Sequence, residues 1–417
     1  MTAPRILLAD CDQMFVAVAR LVDPEGAGRS PLLVVGGAAT SRGVVCSASY
    51  EVRAFGVRSG MPISQAVRRC PQATFVPVPR TACGEKSREV RLALDRWTPQ
   101  VAAASIDEFY LDLTGTEALY RHEPLAETAR RIRCDVLERT GLSLSIGGGT
   151  NRLVAKLAAE RAKPKPGTGG TGVLIVAPGD EADFLATHQL ADLPGVGPRL
   201  QETLRKHRLV SVRDALAMDQ PALQQWLGER TGAWLFARIR GQGGAGVEPR
   251  GDAKSMSREE TFAEDLASDE ALETELLRLV TRLGAELRAD RLATRCVTVK
   301  LRDHDFRTRQ ASQTLPEPID SDRGLYVLAR RLLAKLRARR RLPARLVGVS
   351  LSRFSPMAGA EQLELIRSTA GPAAVESGRD RALARAVDRV NSRFGRQSLA
   401  PARLQRTAAD RGRDRPT

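Results

Sequence analysis

The sequence has few of the residues that build zinc sites, disulfides or base-stacking surfaces. Six cysteines are scattered through 417 residues without a Cys-x-x-Cys pair, and only four histidines are present. A structural zinc site is therefore not expected, and reduced thiols in a cytoplasmic protein are the default. Aromatic residues make up 4% of the chain, so a bound nucleic acid would be held more by its backbone than by stacking.

The chain also lacks a long apolar run. No segment approaches the roughly 20 apolar residues that cross a bilayer. The N-terminus carries charges where a signal peptide would have its apolar segment. We therefore expect a cytoplasmic protein, a monomer without membrane association.

Positive charge, in contrast, is abundant. The formal net charge is +16, which favours a polyanion such as nucleic acid as partner. A codon bias towards arginine is the alternative explanation. With 42% hydrophobic residues, the chain can bury a core and is too long for one typical domain, so two to four units are expected.

Strand-like and helix-like segments alternate over residues 4–178, which predicts an α/β or α+β catalytic domain. Short helices with a Gly-x-Gly turn follow to about residue 240, and residues 241–253 have the composition of a linker. The next hundred residues follow a β-α-β-β-α-β order, the ferredoxin-like pattern. In its first helix, five leucines share one face: Leu272, Leu276, Leu279, Leu283 and Leu287.

The C-terminal tail is low in apolar residues and rich in arginine. Such a composition favours disorder. Within it, four apolar residues at helical spacing predict one docked helix: Leu383, Val387, Val390 and Phe394.

Two acidic clusters stand in apolar surroundings. Asp10 and Asp12 follow a strand-like run, and Asp107 and Glu108 lie between two arms of a predicted hairpin. Oxygen ligands of this kind suit magnesium, and two ions roughly 4 Å apart can clamp the oxygens of a phosphoryl transfer. Turn formation by the first pair and a solvated hairpin tip for the second are the alternatives.

Three residues elsewhere would complete a phosphate site. Tyr50 and Arg53 are three apart, hence neighbours on one helical face, and Lys163 ends a helix just before Pro164. A hydroxyl, a guanidinium and an ammonium group together would suit a triphosphate. Solvated surface charges are the alternative.

Five motifs in this order closely resemble those of the Y-family (lesion-bypass) DNA polymerases, nearest to the bacterial polymerase IV (DinB) branch, over about residues 4–355. They are "ADCDQMFVA", "SASYEVRAFGVRSGMP", "SIDEFYLDL", "TNRLVAKLAAERAKP" and "LPGVGPRL".

The resemblance implies an α+β multidomain fold, a right-hand polymerase with palm, small fingers, helical thumb and ferredoxin-like little finger. The implied domains are the palm (1–20 and 76–178), fingers (21–75), thumb with a helix-hairpin-helix (179–240), linker (241–253), little finger (254–355) and a mostly disordered basic tail with one helix (356–417).

The resemblance also implies roles for site residues. Asp10, Asp107 and Glu108 would be catalytic and bind two Mg²⁺ ions, with the backbone carbonyl of Cys11 as a further ligand. Ser105 would lie close to the primer end. The triphosphate of the incoming dNTP would contact three side chains, Tyr50, Arg53 and Lys163.

Phe15 falls at the position of the steric gate, where its ring would exclude a ribose 2′-hydroxyl. The neighbouring Met14 would also line the nucleotide pocket. Met14 replaces the usual aromatic residue and Ala19 stands where the family often has glutamate, so we expect altered pocket packing. Lys165 lies close to Lys163 and could take its place.

DNA contacts are expected from two regions. Gly195 and Gly197 would let backbone N–H groups approach a phosphate, although a glycine turn between packed helices is the alternative. Strands of the little finger interleave basic and hydroxyl residues, which would touch phosphates without reading sequence. A solvated sheet face is the alternative for this second set, which is Lys254, Arg258, Lys300, Arg307 and Arg309.

The segment "EQLELI" in the tail resembles the short peptide by which bacterial polymerases bind the sliding clamp. Its residues are Gln362, Leu363, Leu365 and Ile366. Ile366 replaces the usual final aromatic residue, and so short a pattern also arises by chance.

Together the resemblance predicts a template-directed DNA polymerase that extends primer-template DNA with dNTPs by a two-metal mechanism. Translesion synthesis, low fidelity and no proofreading are expected. A catalytically inactive adaptor that binds DNA and the clamp is the main alternative, although such relatives tend to lack the carboxylates. A palm-type nucleotidyl cyclase would not explain the Gly-x-Gly thumb or the basic little finger.

Overall fold

The structure is a computed structural model, which describes residues 3–164, 169–244, 246–248, 251–357, 375–395 and 398–404. The chain divides into two compact units, Met1–Gly251 and Asp252–Thr417. Among the residues described, no helix combines the length and apolar character needed to cross a bilayer.

The first half of the first unit builds two sheets and the helices that cover them. Its elements are β1 (Ile6–Cys11), α1 (Met14–Val22), β2 (Leu33–Val35), β3 (Ser47–Ala48), α2 (Tyr50–Ala54), α3 (Ile63–Arg69), β4 (Thr74–Val76), α4 (Arg80–Leu94), β5 (Val101–Ala103), β6 (Glu108–Asp112), α5 (Leu125–Thr140), β7 (Leu144–Gly149), α6 (Arg152–Ala162) and β8 (Val173–Ile175).

The larger sheet has the order β5-β6-β1-β7-β8. β1 lies at its centre, antiparallel to both β6 and β7, and β5 and β6 pair as the predicted hairpin. Ile6, Leu7 and Leu8 of β1 are completely buried because helices cover both faces of the sheet. The smaller sheet, β3-β2-β4, carries α2 and α3 on its own apolar core.

Helix α6 packs unusually close to strand β7. Asn151 caps the helix by accepting hydrogen bonds from the N–H groups of Leu153 and Val154. A Cβ added at Gly147 of β7 would stand 1.9 Å from the backbone nitrogen of Ala159 and 2.2 Å from the carbonyl oxygen of Ala155. The glycine therefore lets helix and strand backbones touch.

The rest of the first unit is helical, as the short apolar segments predicted. Its elements are α7 (Glu181–Ala186), α8 (Pro198–Lys206), α9 (Val212–Leu216), α10 (Gln220–Leu227) and α11 (Glu229–Ile239). They share an apolar core with Leu153 and Leu157 of α6.

The second unit follows the predicted β-α-β-β-α-β order. It contains β9 (Ser255–Leu266), α12 (Asp269–Ala289), β10 (Leu292–Asp303), β11 (Thr308–Ile319), α13 (Asp322–Arg339), β12 (Ala344–Pro356) and α14 (Gly378–Phe394). The sheet order is β11-β10-β12-β9, with every pair antiparallel. Helices α12 and α13 pack on one face of this sheet, and the five leucines of α12 are buried there.

Helix α14 docks on α12 and α13 by a polar face. Arg288 of α12, with 3% of its side chain exposed, donates to both carboxylate oxygens of Asp388 at 2.6 and 2.9 Å and to Asp322 at 2.8 Å. Leu383 and Phe394, expected from their spacing to face the protein, are 63% and 67% exposed. Val387 and Val390, the other two apolar residues at that spacing, are half-buried. The ion pair between the buried Arg288 and Asp388 holds this helix against α12.

Candidate active site

The two acidic clusters meet at the ends of two neighbouring inner strands of the larger sheet. Asp10 near the end of β1 is the direct register partner of Glu108, the first residue of β6. The N–H of Cys11 donates to the carbonyl oxygen of Asp107 at 2.9 Å. Residues almost a hundred positions apart in sequence are therefore neighbours because their strands pair.

Ser105 organises the turn that carries Asp107. Its hydroxyl donates to Oδ1 of Asp107 at 2.5 Å and accepts from the backbone N–H of Glu108 at 3.1 Å. Ser105 thus fixes the orientation of Asp107 from within the same turn.

Asp12 has a structural position instead. Its two carboxylate oxygens accept hydrogen bonds from the hydroxyls of Ser143 (2.8 Å) and Ser145 (2.6 Å). The side chain ties the end of β1 to the start of β7. Both of its oxygens already have partners, so Asp12 stays outside the carboxylate group.

Two lysines pair with two of the carboxylates, one from within α6 and one from the residue that follows it. Nζ of Lys163 lies 3.0 Å from Oδ2 of Asp10, and Nζ of Lys156 lies 2.7 and 2.6 Å from the two oxygens of Glu108. Lys156 was not among the residues predicted from the sequence. Its spacing of seven residues from Lys163, about two helical turns, was the signal that could have identified it.

Burial dominates the electrostatics of Asp10. Only 13% of its side chain is exposed, and desolvation raises its pKa to about 6, although Lys163 pulls in the opposite direction. The pKa of Lys163 is raised by its contacts with Asp10 and Glu160, which outweigh the effect of burial. A buried carboxylate with so high a pKa is a group that gains from a bound cation.

A pocket opens beside these groups. Tyr50 and Arg53 both lie on α2, with the guanidinium 5.2 Å from the centre of the tyrosine ring, and Nε of Arg53 donates to the carbonyl of Ala48. Burial and the charge of Asp12 raise the pKa of Tyr50, so its hydroxyl is a donor at neutral pH. The residues that line the pocket are Asp10, Cys11, Gln13, Met14, Phe15, Cys46, Ser47, Tyr50, Arg53, Ser59, Asp107 and Lys163.

Gln13, which lines this pocket, precedes α1 and adopts a left-handed backbone conformation. Gln13 has φ 49° and ψ 42°, a conformation uncommon outside glycine. The turn buries Met14 in the core of the unit and leaves Phe15 half-buried at the pocket. Gln13 is a pocket residue that the sequence did not single out.

The donor set fits a hard divalent cation. It consists of oxygens alone, and two ammonium groups already occupy positions against Asp10 and Glu108. As the side chains stand, no three His, Cys, Asp or Glu residues in the described ranges converge on one point. Asp107 is instead bonded to Ser105 and Glu108 to Lys156.

The Gly-x-Gly turn precedes α8. Gly195 has φ +101°, and an added Cβ would lie 2.7 Å from the Trp234 ring, so this position needs glycine. Gly197 is the N-cap of α8, and a Cβ there would meet nothing within 4 Å. The backbone at Gly197 therefore faces open space at the positive end of a helix.

Register divides the basic residues of the sheet in the second unit between two faces. Arg258 is the partner of the buried Val349, and Arg309 the partner of the buried Leu301, so both point to the helix-covered side. Arg258 pairs with Glu286 of α12.

Arg309 is nearly buried and bonds Asp303 at 2.8 Å. Lys300 instead lies on the open face, together with Arg302, where it pairs with Glu259. Lys254 and Arg307 are exposed beside the strands. Arg302 is a further open-face candidate that sequence reasoning missed.

Two sequence predictions fall outside the described residues. They are the clamp-like segment with Gln362, Leu363, Leu365 and Ile366, and Lys165, the alternative to Lys163.

This fold, with three carboxylates next to a pocket lined by Tyr50, Arg53 and Lys163, is that of a right-hand nucleic-acid polymerase. Comparison with known protein families supports this class. Residues 9–160 match the impB/mucB/samB family, residues 253–365 its C-terminal domain, and residues 191–243 the thumb domain of DNA polymerase iota. The chain belongs to the Y family of DNA polymerases and is a DNA-directed DNA polymerase.

Two curated relatives illustrate the similarity. DNA polymerase IV of Desulfatibacillum aliphaticivorans is 35% identical, over 97% of this chain and 98% of its own length. DNA polymerase IV of Caulobacter vibrioides is 33% identical, over 89% and 92%.

Solved structures show the same fold. A Y-family polymerase chimera of Dbh and Dpo4 is 24% identical over 84% of this chain and 98% of its own, with a TM-score of 0.73. DinB from Sulfolobus solfataricus is 25% identical with the same coverage and a TM-score of 0.55. The predicted fold class, a right-hand polymerase with thumb and little finger, is confirmed.

Proposed function

We propose that this polymerase carries out translesion synthesis, adding dNTPs to a primer 3′ end with two Mg²⁺ ions, at low fidelity and without proofreading. The observation that carries the proposal is the pairing of Asp10 with Glu108 across two strands, with Asp107 next to Glu108 in sequence. Asp10 and Asp107 line the same pocket as Tyr50, Arg53 and Lys163. Family membership supports dependence on a divalent metal in general.

The carboxylates are the metal-binding part of the proposal. Asp10, Asp107 and Glu108, with the carbonyl of Cys11, would hold the ions. When bound, such ions activate the primer hydroxyl and neutralise the charge of the leaving pyrophosphate. Ser105 contributes by fixing the turn that presents Asp107, close to the primer end.

The pocket residues would bind the nucleotide. The Tyr50 hydroxyl donates one hydrogen bond, the Arg53 guanidinium can form two parallel bonds to phosphate oxygens, and Lys163 adds a point charge. Lys163 lines the same pocket, where its ammonium group also lies 3.0 Å from Asp10. Phe15 would lie under the sugar and exclude ribonucleotides.

DNA contacts complete the proposal. The open N-terminus of α8 at Gly197 has room for a phosphate beside its N–H groups. In the little finger, Lys300 and Arg302 on the open face, with the exposed Lys254 and Arg307, would contact the backbone without reading sequence. We do not propose DNA contacts for Arg258 and Arg309, because these side chains bind the helices of their own unit.

The domain boundaries remain part of the proposal. They are the palm (1–20 and 76–178), fingers (21–75), thumb (179–240), linker (241–253) and little finger (254–355).

Clamp binding by residues 361–366 is tested by a Gln362→Ala/Leu363→Ala variant, whose affinity for the sliding clamp should fall. Equal clamp binding by the variant and the wild type would contradict the assignment.

Primer extension with Mg²⁺ tests the chemistry. Wild-type protein should extend a primer on an intact template and past a damaged templating base, while an Asp107→Ala/Glu108→Ala variant should not. Asp12→Asn is the matched control, since Asp12 bonds serines and should leave extension measurable. Equal extension by the double variant would refute the site, and a wild type that binds DNA without extending it would support the adaptor alternative.

A further inference from the structure

Lys156 in α6 and Lys163, the residue that ends this helix, both contact a carboxylate of the site, but they differ in what else they can bind. Lys163 lines the nucleotide pocket and also contacts Glu160 at 2.8 Å. Lys156 does not line that pocket, and both hydrogen bonds that the structure describes for its ammonium group go to Glu108. The contact is two-pronged, with one bond to each carboxylate oxygen.

The need for such a counter-ion follows from the strand register. Asp10 and Glu108 stand directly opposite each other on antiparallel strands, and like charges in that arrangement destabilise a sheet. Asp107 adds a third carboxylate next in sequence to Glu108. Without metal, the two ammonium groups are what offsets this repulsion.

We propose that Lys156 is a resident counter-ion that competes with divalent metal for the carboxylate of Glu108. It is a positioning residue that acts through Glu108, and its effect is to weaken metal binding by the enzyme in the absence of nucleotide and DNA. The inference rests on the proposed assignment of Glu108 as a metal ligand.

The direction in which metal affinity changes when Lys156 is removed distinguishes a competing counter-ion from a residue that supports a metal ligand. A group that merely orients a metal ligand strengthens binding, and losing it typically weakens metal affinity 10- to 100-fold. Lys156 carries a positive charge and occupies both oxygens that a cation would need. Its removal should therefore strengthen metal binding, because a competitor and a repulsive charge disappear together.

The experiment is a titration of the full-length protein with Mn²⁺, free of DNA and nucleotide, with unbound Mn²⁺ measured by its electron paramagnetic resonance signal. Lys156→Met and Lys156→Gln should each bind Mn²⁺ more tightly than wild type, by a factor on the order of ten. Lys156→Arg keeps the charge and should stay near wild type. Lys206→Met, which removes an exposed lysine from α8, is the control for net charge.

Thermal unfolding of each variant identifies any that do not fold, and using two neutral replacements keeps the test decisive. Unchanged or weaker Mn²⁺ binding by the folded neutral variants would overturn the role of Lys156 while leaving the metal site intact. Glu108→Gln tests that site separately. If Glu108→Gln binds Mn²⁺ as well as wild type, Glu108 is not a ligand, and both the metal assignment and the inference fail.

Discussion

Replacing Asp10 with asparagine should abolish primer extension and yet stabilise the metal-free protein. Burial raises the pKa of Asp10 from 3.8 to about 6 in the folded state. The unfolded chain therefore loses this proton at lower pH than the folded chain does. Between about pH 4 and pH 6, each pH unit lowers the free energy of unfolding by about 1.4 kcal/mol, so that above pH 6 the loss reaches about 3 kcal/mol.

Asparagine resembles the protonated acid and avoids this loss. Asp10→Asn should therefore be more stable than wild type by up to about 3 kcal/mol at pH 7.5, and the difference should fall below about 1 kcal/mol near pH 4. Urea unfolding in EDTA, followed by tryptophan fluorescence, measures it. All three tryptophans, Trp97, Trp226 and Trp234, belong to the unit that contains Asp10.

Two further measurements separate the effect of burial on Asp10 from a general effect of removing a carboxylate. Asp12→Asn, which alters a carboxylate bonded to two serines, should lose about 1 kcal/mol at both pH values. Mg²⁺ should stabilise the wild type and have little effect on Asp10→Asn. Two results would show that burial does not raise the pKa of Asp10. One is an Asp10→Asn variant no more stable than wild type at pH 7.5, and the other is a stability difference between the two proteins that does not change with pH.

Three other predictions concern the gate, the thumb and the little finger. Phe15→Val should raise ribonucleotide incorporation in primer extension with rNTPs; unchanged sugar selectivity would remove Phe15 from that role. Gly195→Ala should cost about 1–3 kcal/mol in urea unfolding, because of its positive φ and the Trp234 contact, whereas Gly197→Ala should change stability by less than about 0.5 kcal/mol. Equal losses would contradict the turn geometry. Arg302→Ala should weaken DNA binding and reduce its salt slope by about 1, while Arg309→Ala should destabilise the protein without changing that slope; the reverse pattern would exchange their roles.

Local periodicity was sufficient to predict much of the fold. The leucines of α12 are buried because a 3.6-residue repeat depends on neighbouring positions alone, and the hairpin of β5 and β6 follows from its apolar arms. Side-chain direction in β9 and β11 is different. It depends on register, and a shift of one residue moves a side chain to the other face, so the sequence did not reveal that Arg258 and Arg309 face the helices.

The residues of the site were likewise predictable from the sequence only in part. Asp10, Asp107 and Glu108 could be proposed from their unfavourable placement in apolar runs, since charges there require a partner. Lys156 could not be proposed so easily, because its importance depends on which face of α6 meets the sheet. For α14, hydrophobic spacing indicated a docking face, but the pair of Arg288 and Asp388 holds the helix against α12.

The contact at Gly147 has a consequence for how this enzyme can change during evolution. Asp10 and Glu108 belong to the sheet, Lys156 belongs to α6 and Lys163 directly follows it, and the sheet and this helix meet backbone to backbone at Gly147. Any side chain introduced at Gly147 would collide with the backbone of α6 and force the two elements apart, so this position does not tolerate substitution. The distance between the charged groups is thus inherited with the fold, and mutations can alter the identity of those groups far more readily than their spacing.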